Sequence, residues 1–159
     1  MSRVPLTTYL NDHLAGGNAA LELLEQLIEH MQDTDDKAEL KQIETEITED
    51  KSVLLAILKG SGGNESRVRS AAALVAQKIG QVKVALDDPG SGEFRNFEAL
   101  EALALGIQGK AALWRALDEV KRSVPQLDRD YASLERRAQD QFERVDRLRL
   151  SLARKALSS

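Results

Sequence analysis

FEALEALALGIQGKAALWRAL, residues 97–117, decides the fold. Leu100, Leu103, Ile107, Trp114 and Leu117 recur at the three- and four-residue spacing that lines one face of a helix. Phe97, Ala104 and Ala111 widen that face, giving the broadest apolar surface in the chain and marking this helix for the centre of a bundle. One position breaks the stripe: Lys110 stands where the pattern calls for Leu or Ile. A buried ammonium without a partner is strongly unfavourable, so Lys110 needs either a counter-charge or a task.

Working outward, the same spacing predicts further helices on both sides. The first runs from about Pro5 to Met31, with Leu6, Leu10, Gly17, Leu24 and Met31 on one line and Leu14, Leu21 and Ile28 beside it. Pro5 suits a first turn, where its missing N–H is no loss. The second opens at Asp36, whose spacing to Glu39 suits a capping arrangement, and ends before Gly60 with the stripe Leu40, Ile43, Ile47, Asp50, Leu54, Ile57. After the loop Gly60-Ser61-Gly62-Gly63-Asn64, a third carries Val68, Ala72, Val75, Ile79, Val82 and Leu86 up to the turn Asp87–Gly92. Downstream of the opening stretch, Ser123 and Gln126 form a capping-box pattern with Pro125 in the first turn. The fifth helix then carries Leu127, Tyr131, Leu134, Ala138, Gln141, Val145, Leu148 and Leu152. No glycine separates the fourth and fifth helices, which leaves a single kinked helix as the alternative there.

Short connections favour antiparallel neighbours, so residues 1–159 are expected to form one domain, an all-α, antiparallel up-and-down bundle of four or five helices. Composition agrees: 30% of residues are charged and only 4% aromatic, an alphabet of long helices rather than strands. The absence of cysteine excludes disulfides, thiolate metal sites and cysteine nucleophiles. A net charge of −4 argues against nucleic acid as a principal partner. No stretch approaches the roughly 20 apolar residues of a membrane span, and the first residues lack the apolar core of a signal peptide. A cytoplasmic location is the resulting expectation.

Three stripes carry a polar interruption: His13, Asp50 and Lys110. Counted from the helix ends, Asp50 and Lys110 differ in height by roughly 3 Å, with His13 about one turn away. Gly17 and Gly109 fall on the Asp50 level. Mid-helix glycines (Gly16, Gly17, Gly80, Gly106 and Gly109) cost about 1 kcal/mol each against alanine and leave room beside the backbone. Three readings follow. Asp50 and Lys110 form a buried ion pair that sets helix register, with His13 a satisfied core histidine. Alternatively the layer holds an ion or a small polar ligand at mid-bundle. The third is an acid–base enzyme built from His13 and Asp50, although no serine, cysteine or threonine is placed beside them as a nucleophile.

Other patterns carry less. Gly106-Ile107-Gln108-Gly109-Lys110 has the composition of a phosphate loop but sits inside a helical run and follows no strand. His30 lies near a helix end, where an imidazolium would suit the dipole. The second helix is acidic (Glu39, Glu44, Glu46, Glu49, Asp50) and the fifth basic (Arg136, Arg137, Arg144, Arg147, Arg149, Arg154). These sets either align the two helices, within one chain or across a dimer, or remain two solvated faces.

Long antiparallel helices with polar residues facing the axis resemble the ferritin-like superfamily. The segments Tyr9–Gly16 and Leu100–Lys110 are also similar to stretches of uncharacterised bacterial helical-bundle proteins. The ferritin-like di-iron signature requires Glu-x-x-His on two helices. Here Leu10 precedes His13 by three residues and Leu27 precedes His30 by three, so the motif fails at both histidines. A mononuclear site built from His13, Glu46, Asp50 and Glu101 remains an outside reading, opposed by the nearby Lys110 ammonium. No cofactor is expected. The expectation is a non-catalytic bundle with a structural or protein-interaction role, and the all-round apolar fourth helix leaves a homodimer open. The alternative is a ferritin-like binding protein holding a metal ion or small ligand near His13, Asp50 and Lys110.

Overall fold

A computed structural model describes residues 4–65 and 92–158. Among these residues there are four α-helices: α1 (Val4–His30), α2 (Thr34–Gly60), α3 (Gly92–Val120) and α4 (Tyr131–Leu157). The predicted helix over Val68–Leu86, with Gly80 inside it, lies outside the described residues. So does the turn up to Ser91.

The helix starts differ from the sequence reading in two places. Asp33, not Asp36, caps α2: its carboxylate accepts from the backbone N–H groups of Asp35 (2.9 Å) and Asp36 (3.0 Å). The cap therefore lies at the first acidic residue of the Asp33–Asp36 cluster, and Asp35 and Asp36 fall in the first turn, where negative charge is favoured. Pro125 opens a single 3-10 turn, Pro125–Leu127, and α4 begins later, at Tyr131. There Asp130 accepts from the Ser133 N–H at 3.1 Å. The Ser123–Gln126 pattern caps nothing, and α3 and α4 are separate helices. Leu127, fully buried, pins the turn between them to the core.

Ion pairs trace the relative directions of α2, α3 and α4. Glu93 with Lys155 (3.5 Å), Glu101 with Arg149 (3.2 Å) and Arg115 with Glu135 (3.7 Å) lock α3 antiparallel to α4. Glu39 and Glu46 with Arg144, and Glu49 with Arg137, make α2 antiparallel to α4 as well. At the far end of α2 the chain turns at Gly62, which takes φ 78°, a conformation glycine reaches without strain. Gly63 then lies so close to Leu58 and Thr7 that a Cβ would collide with both. Asn11 Nδ2 donates to the Asn64 carbonyl at 3.3 Å, fastening the start of α1 to the end of α2. The result is an up-and-down bundle in which α1 and α4 point one way and α2 and α3 the other.

Helices α3 and α4 lie against each other along most of their length, and α1 packs on both α2 and α3. Helix α2 approaches α4 far more sparingly and faces α3 diagonally across the core. Leu10, Leu14, Leu24, Leu40, Ile43, Ile57, Leu100, Leu103 and Val145 fill the interior. Trp114 of α3 stacks on Tyr131 of α4, ring centroids 6.1 Å apart at 26°. No described helix is long and apolar enough to cross a membrane.

Candidate functional site

Asp50 is the hub of a polar layer at mid-bundle. Its position in the α2 stripe turns the side chain inward, and it is 1% exposed. Oδ2 accepts from Lys110 Nζ at 2.5 Å and from Gln141 Nε2 at 3.4 Å. Oδ1 accepts from Arg137 Nε at 3.0 Å and from the same guanidinium's Nη2. Lys110 also donates to Gln141 Oε1, so α2, α3 and α4 are tied together at one height. Gln141 Nε2 passes the network on to Glu46 at 3.1 Å, and Glu46 accepts from Arg144. Glu39 (3.2 Å) and Asp140 (2.9 Å) complete the arginine's surroundings.

The electrostatics follow from burial and pairing. Burial pulls the Lys110 ammonium below its ordinary value, and the Asp50 carboxylate only partly offsets this. Burial acts in the same direction on Arg137, but there the bonds to Asp50 and Glu49 prevail and raise it. All four acceptor positions of Asp50 are occupied, which offsets the desolvation of a buried carboxylate.

His13 stands apart from this layer. It is half-buried on α1, its ring meets Tyr9 edge-on (centroids 4.7 Å, 76°), and it makes no bond to Asp50 or Lys110. Burial lowers its pKa, with Asp12 pulling weakly the other way. The outside metal site also fails to assemble. Glu46 and Asp50 are engaged by arginine and lysine, and Glu101 pairs with Arg149 on the outer face of the α3–α4 contact. Among the described residues no three His, Asp or Glu side chains form a group that could hold a metal ion. His30 Nδ1 lies 2.7 Å from the Gln26 carbonyl in the last turn of α1, the place its sequence position suggested.

Gln141 and Arg137 are essential members of the layer that the sequence reading left out. Gln141 is fully buried and lies in the α4 stripe, so it is a fourth polar interruption of the same kind as Asp50. Arg137, one turn before it, belonged to the general basic face. Within that face Arg137 and Arg144 pair with the acidic residues of α2 inside one chain, whereas Arg136, Arg147 and Arg154 are exposed.

Beside the layer, between α1, α2 and α3, is a cavity of about 450 Å³. Gly16 and Gly17 of α1 and Gly106 and Gly109 of α3 border it. A Cβ built on any of these four glycines meets no described atom within 4 Å. The remaining wall is mainly apolar, including Leu23, Ile47, Leu54, Leu103 and Trp114. Asp12, His13, Asp50, Lys51 and Lys110 supply its charged and polar side chains. Trp114 Nε1 and Tyr131 OH are buried with no hydrogen-bond partner among the described residues, and burial pushes the Tyr131 phenol up to about 12. Compared with known protein families, curated proteins and solved structures, the chain finds no match.

Proposed function

We propose that this chain is a non-catalytic binding protein whose cavity between α1, α2 and α3 takes a small, largely apolar molecule. The observation that carries this reading is the 450 Å³ space itself, apolar over most of its wall and bordered by a few polar side chains. Ligand pockets have this size and character, about 300–1,000 Å³ with a small number of placed polar groups. Helix interiors ordinarily close such gaps with side chains, since protein cores pack as densely as organic crystals. Here four glycines border the space and add no side chain to it. The saturated Asp50 network favours a rigid wall over a reacting group, and among the described residues the cavity lining holds no Ser, Thr or Cys paired with a base.

A mid-bundle ligand position is also where four-helix bundles commonly place their sites, and this supports a ferritin-like shape that has lost, or never had, the di-iron centre. A cytoplasmic setting belongs to the same proposal.

The chain's single tryptophan, Trp114, lines the cavity and so reports on it directly. Titration with a neutral apolar quencher such as 1-bromooctane is expected to quench Trp114 saturably. In the double variant Gly17→Leu with Gly109→Leu, saturation is expected to vanish while helical circular dichroism persists. Quenching that is linear and unchanged in the double variant removes the cavity reading.

A second reading, association through protein contacts, has one specific support. Phe94, Leu105 and Val120 of α3 are large apolar side chains between 41% and 53% exposed. Sedimentation velocity at high micromolar concentration tests it: a homodimer is expected if these residues form an interface, and a monomer removes self-association.

A further inference from the structure

We infer that the occupant of the cavity is an uncharged amphiphile, an alkyl or ring body ending in one hydroxyl or carbonyl oxygen, with that oxygen placed between Lys110 and His13. The inference rests on the cavity reading above and adds the ligand's chemical class and orientation.

The first ground is an unused donor. The ammonium of Lys110 has three N–H groups. Asp50 and Gln141 take two, and no acceptor among the described residues takes the third. Lys110 lines the cavity, and its side chain is 15% exposed. An incompletely bonded charge in low dielectric favours any acceptor that can reach it.

The second ground is His13. It also lines the cavity and makes no hydrogen bond with a described residue. Its pKa is held below the ordinary value, so at neutral pH the ring is an imidazole with one donor and one acceptor nitrogen. A hydroxyl can use either nitrogen. Along α1, His13 lies roughly 6 Å from the level of Gly17, Asp50 and Lys110. The two polar groups therefore border one end of the space. In the opposite direction the wall becomes apolar, with Leu23 roughly 9 Å and Leu103 roughly 10 Å along their helices from the Lys110 level.

The third ground is charge. The charged side chains that line the cavity cancel, Asp12 and Asp50 against Lys51 and Lys110, and behind them Arg137 and Arg144 face Glu39, Glu46, Glu49, Asp50 and Asp140. A ligand carboxylate would enter beside a network that has no cationic surplus, and a ligand ammonium would be placed against Lys110. Burying either charge there is unfavourable, whereas a neutral oxygen accepts the free N–H without adding charge.

Octane, octan-1-ol, octanoate and octylammonium, titrated into the full chain at neutral pH and read by Trp114 fluorescence, separate these possibilities. Octan-1-ol is expected to bind at least about tenfold more tightly than octanoate or octylammonium, and more tightly than octane. Lys110→Met and His13→Phe are each expected to lower the affinity of octan-1-ol relative to that of octane measured in the same variant. Two variants are used so that misfolding of one leaves the comparison intact. Octanoate or octylammonium binding as well as the alcohol overturns the neutral head group. Octane matching octan-1-ol in the unaltered protein overturns the polar contact and leaves the apolar cavity standing. If no probe binds, including octane, the cavity reading falls with it.

Discussion

Two sides of the bundle separate their helices in different ways. Between α2 and α4 the backbones stand apart, and long side chains cross the gap: Arg137 to Asp50 and Glu49, Arg144 to Glu39 and Glu46, Gln141 to both Asp50 and Glu46. Between α1 and α3 the backbones carry Gly16, Gly17, Gly106 and Gly109, and the space beside them holds no side chain of their own. Lys110 belongs to both sides. Two of its donors serve the filled gap, and its side chain borders the open one. A gap bridged by charge fixes register, because each carboxylate is matched to one arginine height. A gap left by glycines fixes nothing, and so leaves space available for something else.

Breaking the filled side should have the largest effect. Asp50→Asn leaves Lys110 and Arg137 without their shared anion and is expected to cost about 3 kcal/mol in urea denaturation, the low end for a buried pair because both cations retain some exposure. An unchanged midpoint would mean the pair does not form. Gln141→Leu removes one acceptor of Lys110 but leaves Asp50 bonded to Lys110 and Arg137. The expected loss is about 1–2 kcal/mol by the same measurement. If it equalled the Asp50→Asn effect, Gln141 rather than Asp50 would be the hub.

The stripes that define the helices were readable because burial imposes their period directly. The Asp50–Lys110 contact was also readable, since two residues at one height on inward faces must meet whatever the details of packing. Side-chain reach was harder. Arg137 enters the layer from a half-exposed position one turn from Gln141, and nothing in its own spacing distinguishes it from Arg136 or Arg147. Gln141 carries a signal, a polar residue in an apolar stripe, but an uncharged amide demands a buried partner less strongly than Asp50 or Lys110 does. His13 matched the layer in height within a turn, yet rotation about α1 aims it at Tyr9 and the cavity. The helix starts depended on competition among nearby caps. Asp33, Asp35 and Asp36 all qualify by type, and the geometry of the α1–α2 turn selects Asp33.

On the open side the sign of the effect reverses. Gly17→Ala and Gly109→Ala each add a methyl where no described atom lies within 4 Å, and both remove the backbone freedom that glycine gives the unfolded chain. Each is expected to stabilise the fold by about 0.5–1 kcal/mol in thermal or urea denaturation. A loss of stability would show that the helices close on these positions and that the cavity is not open in solution.

The smallest effect is the pH response of His13, and its sign distinguishes a desolvated ring from a solvated one. Burial lowers the native pKa below the ordinary 6.5 of the unfolded chain. As pH falls through 6.5 the unfolded chain takes the proton first, so stability falls with falling pH until the lower native value is passed. The contribution is thus fully present above about 6.5 and lost below it. Urea denaturation of the parent and of His13→Phe, each at pH 7 and pH 5, isolates it from the carboxylates, which titrate in both. The parent is expected to lose more stability than the variant between the two pH values, and an equal loss would mean that water reaches the ring. Saturating octan-1-ol sharpens the comparison. A bound hydroxyl that accepts from Lys110 and donates to the bare ring nitrogen of neutral His13 further disfavours the imidazolium, so the alcohol's stabilising effect should shrink at pH 5 in the parent and stay constant in His13→Phe.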